Sequence, residues 1–291
     1  MTDLEIQPGP VAPPDPVEMI VPPRMPHIGH AIFFLLFALG TVFASQFAVV
    51  GIARLLPSLH ALSMAQITRI PRLTVISSFV AYTLILGIAT IVFPAVWHRS
   101  FASGISWNLN AATRNARWLI PAGAGIAILS AVSEAFQTIP KDLPVDKFFT
   151  SRLDLWLVSI LGTLLAPAFE EICFRGFLLP AVAIAYEWFA TPRTPEGRTL
   201  WYSSNDVSPA ALVVGAVVSS FGFALMHGKQ LNYTVGPLAV LFCVSLALST
   251  VRIRLRSVAA STLVHASYNG FLFAMTFIST RGYTHLDKLG R

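Results

Sequence analysis

Three short polar clusters interrupt a mostly apolar chain: Glu170, Glu171 and Arg175 in EEICFR, His227 in FALMH, and His265 with Asn269 in HASYN. An acid, two imidazoles and an amide are the groups that hydrolysis by activated water requires. One of them takes a proton from water, and donors hold the oxyanion that forms. Glu171 and Arg175 lie about 40° apart on a wheel of roughly 100° per residue, the geometry of an i,i+4 ion pair. Glu170 lies about 140° from Arg175 on the same wheel. The two neighbouring carboxylates are therefore expected to do different work, Glu171 neutralised by Arg175 as structure and Glu170 left without a local cation. A desolvated carboxylate lacking a counter-charge holds a proton more tightly, which suits a general base. Phe223 and His227 share one helical face, and so do His265 and Asn269. The small residues Ala259, Ala260, Ser261, Ala266 and Ser267 around HASYN let that helix approach another closely. Each cluster alone has a plainer reading: a buried ionic lock, a headgroup contact at a membrane edge, and an interhelical hydrogen bond. Their convergence from three segments favours chemistry.

The elements that must position these groups are apolar spans. Of 291 residues, 55% are hydrophobic and 12% charged, about half the charge a soluble domain carries. The solvent expected for the fold is lipid. Apolar stretches fall at Met25 to Ala53, Leu73 to Trp97, Trp118 to Ile139 with one acid, Glu134, Leu155 to Phe189, which holds Glu170, Glu171, Arg175 and Glu187, Ala210 to Met226, Val235 to Leu248 and Val258 to Ile278. The fourth is too long for one span of about 20 residues, and Pro167 and Pro180 are its candidate breaks. The expectation is an all-α polytopic membrane protein of seven or eight transmembrane helices, with a polar catalytic cavity between the C-terminal ones. Residues 1–26, with eight prolines, read as a disordered tail; 27–150 hold the N-terminal spans, 151–278 the catalytic core and 279–291 a short C-terminal tail. The net charge of +6 suits loops facing anionic lipid rather than nucleic acid. Basic residues divide almost evenly between the two sides, so orientation is left open. Arg252, Arg254 and Arg256 are the best single candidate for a cytoplasmic loop. Cys173 and Cys243 sit in apolar runs and offer neither a disulfide framework nor a CxxC metal site.

In their order along successive apolar segments, EEICFR, FALMH and HASYN resemble the EExxxR, FxxxH and HxxxN signature of the CPBP family. That family comprises type II CAAX prenyl endopeptidases and bacteriocin-processing or self-immunity proteins, which are intramembrane proteases. The likeness covers roughly residues 155 to 272. It implies an intramembrane endopeptidase that cleaves a membrane-associated protein or peptide. In it Glu170 and His227 activate water, His265 and Asn269 stabilise the tetrahedral oxyanion, and Glu171, Arg175 and Phe223 give structural support. The resemblance places the chain as a multi-pass integral membrane protein, in the inner membrane if its source is bacterial. No cofactor is expected. The zinc-dependent alternative would use Glu170, His227 and His265 as three ligands with water in the fourth place, but there is no HExxH or other compact zinc motif. A proton-coupled transporter, relaying protons through Glu134, Glu170, His227 and His265, is the competing class. The chain shows no internal repeat of the kind found in many transporters.

Overall fold

The structure is a computed structural model that describes residues 24–137, 140, 143–203 and 205–288. All but the last three residues of the proline-rich tail lie outside the described residues. No strand occurs among those described, and seven long helical segments form the bundle. They are α1 (Ile28–Ala53), α2 (Pro71–Trp97), α3 (Leu109–Glu134), α4 (Arg152–Ala190), α5 (Pro209–Met226), α6 (Val235–Leu255) and α7 (Val258–Ser279). The first six are long and apolar enough to cross a membrane. The expected count of seven or eight exceeds that by at least one, because α7, although 22 residues long, carries His265, Tyr268 and Asn269, which lower its apolarity.

The outward faces are apolar, as lipid demands of a helix bundle. Phe47 on α1, Ile91 on α2 and Leu129 on α3 are 71%, 73% and 71% exposed. Helix starts are set by polar side chains at the boundaries. Asn108, Ser151, Ser208 and Ser257 each accept a hydrogen bond from the third backbone amide beyond them, capping α3, α4, α5 and α7. Pro209 follows Ser208 directly, where its missing N–H costs nothing.

The central element is α4, a continuous helical path of 39 residues. Pro167 and Pro180 do not break it. Instead Leu161–Leu165 and Ile172–Leu178 wind as π-helix, and each proline is then taken up in the first turn of the α-helical stretch that follows. A π turn shifts the hydrogen-bond register by one residue, which lets a chain lacking one N–H continue its helical course. The carbonyl of Phe174, inside the second π segment, accepts from the Ser219 hydroxyl of α5 at 2.8 Å.

Aromatic packing of Phe34, Phe93, Trp97 and Phe177 fixes α4 against α1 and α2. On the opposite side, α3 and α7 come close enough that a Cβ added at Gly123 would strike the Val264 carbonyl and lie 2.7 Å from the Ser267 Cβ. Gly123→Ala is therefore expected to destabilise the bundle by about 1–3 kcal/mol through overpacking. The check is the thermal midpoint in detergent, which should fall; an unchanged midpoint would contradict this close approach.

Two boundaries differ from those read in the sequence. Helix α3 begins at Leu109 rather than near Trp118, so Arg114 and Arg117 belong to its first turns. The alternation of Arg252, Ile253, Arg254 and Leu255 is helical, not a loop: α6 runs to Leu255, and Arg256 caps it in the left-handed region at φ 47°.

Candidate active site

Glu170 and Glu171 sit at the junction between the last α turn before the second π segment and that segment itself. Both are buried, and their surroundings are different. Glu171 is completely inaccessible, as is Arg175. Arg175 Nη1 donates to Glu171 Oε1 at 2.8 Å, and its Nη2 donates to the Ser245 carbonyl and hydroxyl at 2.7 and 2.6 Å. The guanidinium also lies over the Phe223 ring, 5.0 Å from its centroid. An arginine fork thus ties α4 to α6 and α5, and the desolvation of a buried ion pair is offset in part by these hydrogen bonds, Arg175 Nε finding no acceptor.

The same Glu171 oxygen lies 3.0 Å from His265 Nδ1. A carboxylate oxygen can only accept, so the proton is on Nδ1, and Nε2 is the nitrogen left for other work. His265 Nε2 is 3.7 Å from Glu170 Oε2. Glu170 is therefore not held by Arg175, but neither is it isolated; its near neighbour is an imidazole. The phenyl ring of Phe223 packs edge-on against His265 with centroids 5.7 Å apart.

His227 ends α5, and its Nδ1 is 2.9 Å from the carbonyl of Phe223 one turn back. That bond fixes the tautomer in the same sense, leaving Nε2 unengaged. Asn269 Nδ2 donates to the Gly162 carbonyl at 2.7 Å. Gly162 lies in the first π segment of α4, so the amide's orientation is set by the irregular helix and one of its two N–H groups is committed.

Glu170, His227, His265 and Asn269 all line one cavity of about 360 Å³. Glu134 from the end of α3, Gln230 and Tyr268 line it as well. Sequence spacing did not mark Ser245 or Gly162. The only signal for Ser245 was a hydroxyl in an apolar span, and Gly162 acts through its backbone. Glu187, the other acid of α4, accepts from the Ser208 amide at 2.9 Å and so serves the start of α5, away from this cavity. Among the described residues, no group of three or more His, Cys, Asp or Glu side chains is disposed to hold a metal ion.

Residues 152–271 match the family model described as Type II CAAX prenyl endopeptidase Rce1-like. No curated protein and no solved structure matches the chain. The matched segment contains α4, α5 and α6, most of α7, and every residue named in the cavity's polar wall except Glu134.

Proposed function

Because residues 152–271 belong to the Rce1-like family of type II CAAX prenyl endopeptidases, we propose that this multi-pass membrane protein hydrolyses a peptide bond of a membrane-associated protein or peptide in the cavity lined by Glu170, His227, His265 and Asn269. The observation that carries this reading is the split between adjacent carboxylates: Arg175 binds Glu171, while Glu170 faces the cavity beside an imidazole.

Water bound between Glu170 and the free Nε2 of His227 gives one proton to Glu170 as its oxygen attacks the scissile carbonyl. The carbonyl oxygen becomes an oxyanion. The uncommitted N–H of the Asn269 amide and a protonated His265 Nε2 are the donors for it. Glu171 holds the imidazole by its other nitrogen and supports the positive charge that such donation requires. Collapse of the intermediate breaks the carbon–nitrogen bond, and the proton held by Glu170 passes to the leaving amine. Atoms and charge balance without a cofactor.

Asn269→Ala removes one oxyanion donor and is expected to lower kcat by about 10²–10³-fold. An unchanged kcat would remove Asn269 from the reaction. A strong chelator is expected to leave turnover of the purified protein unaltered; stoichiometric zinc, with turnover abolished by chelation, would replace this mechanism by the metal-dependent one. The substrate is found by comparing the proteomes of membranes carrying the active chain and its Glu170→Gln variant. One protein should accumulate uncut with the variant, and identical proteomes would contradict proteolysis. Proton flux into liposomes that survives Asn269→Ala would instead support transport.

A further inference from the structure

A second polar cavity, of about 340 Å³, lies at the other end of the bundle. Pro237 of α6 lines the catalytic cavity and Arg252 of the same helix lines this one. Val244, the residue of α6 on the catalytic wall nearest to Arg252, lies eight residues, or about 12 Å, from it along the helix. Four arginines line it, Arg24, Arg99, Arg252 and Arg256, against one acid, Asp206. Cations in the last turn of a helix complement its free carbonyls, which accounts for Arg254. It does not account for Arg252, whose Nε is buried with no hydrogen-bond partner. An unsatisfied buried guanidinium N–H is costly and calls for an acceptor.

This basic cavity adjoins an apolar one of about 460 Å³, the two sharing Arg24, Ile184 and Asn205. Trp188, Phe189 and Trp201 furnish the apolar wall. Arg24 lies over the Trp201 ring at 4.0 Å and Arg193 over Trp188 at 4.2 Å, so the aromatic wall carries cations on its faces. Tryptophans backed by arginines mark the headgroup level of a bilayer. A free phosphate would use the basic half and leave the apolar half empty.

We propose that the paired cavities form a binding site for an anionic phospholipid, its phosphate among Arg99, Arg252 and Arg256 and an acyl chain along Trp188 and Phe189. The site is separate from the catalytic cavity. It lies where the α6–α7 connection meets the α2–α3 connection, whose Ser106 carbonyl accepts from the amide of Val258, the first residue of α7, at 3.0 Å.

The test is native mass spectrometry of the full chain in mild detergent, titrated in parallel with phosphatidylglycerol, phosphatidylcholine and inorganic phosphate. Phosphatidylglycerol should give a retained one-to-one adduct, with phosphatidylcholine much weaker. Arg252→Gln and the exposed Arg256→Gln should each weaken the adduct about fivefold, the effect of one basic side chain at an anionic headgroup. Arg256→Gln keeps the test valid if loss of Arg252 disturbs the fold. Equal retention of the two lipids, or an adduct indifferent to both substitutions, would overturn the proposal. Displacement of the lipid by an equal concentration of inorganic phosphate would overturn its lipid part.

Discussion

Glu170→Gln is expected to lower kcat/KM by about 10²–10⁴-fold, the usual contribution of a positioned general base, while the protein folds and extracts as before. The amide has the shape of the carboxylate, so the cavity keeps its volume. It cannot accept the proton of water. Among the described residues no hydrogen bond is lost, since the nearest polar partner of the Glu170 carboxylate is His265 Nε2 at 3.7 Å, and Arg175 keeps all three of its acceptors. The check is the rate of cleavage at matched amounts of folded protein. Normal cleavage by the variant would show that the base is another group, with Glu134 the remaining acid on the cavity wall.

Glu171→Gln should behave in the opposite way, with stability as its first loss. Its side chain is wholly buried, and one of its oxygens serves both Arg175 and His265. Neutralising it leaves a buried guanidinium without its counter-charge, which costs about 3–5 kcal/mol. The expected result is a marked fall in the thermal midpoint and in yield from membranes. Arg175→Gln should do the same from the other side of the pair, leaving Glu171 uncompensated. A midpoint equal to that of the parent protein in both variants would contradict an ion pair that ties α4 to α5 and α6.

The order of the apolar segments was legible because a bilayer leaves few choices: apolar chain over some twenty residues crosses as helix. The i,i+4 spacing was enough to place Arg175 on Glu171 rather than on Glu170. The start of α3 was hidden by Arg114 and Arg117, whose charges interrupt the apolar run from which a span is read. Two prolines suggested breaks in α4 because proline is unfavourable in α-helix; nothing in composition signals a π turn that accommodates it. Asn269 could be marked as a donor, but the Gly162 carbonyl that orients it is backbone, and Ser245 was one hydroxyl among many. The arginine alternation at the end of α6 suggested an exposed loop, since side-chain period alone does not reveal that Arg252 is drawn into a cavity lined by four other segments.

Hydrolysis by this site depends most on adjacent carboxylates having separate duties. Turnover per folded molecule, measured side by side for Glu170→Gln and Glu171→Gln with the thermal midpoint of each, tests this directly. The expected result is a stable but inactive Glu170→Gln protein and an unstable Glu171→Gln protein. A Glu170→Gln protein that turns over normally, or one that unfolds as readily as Glu171→Gln, would contradict it.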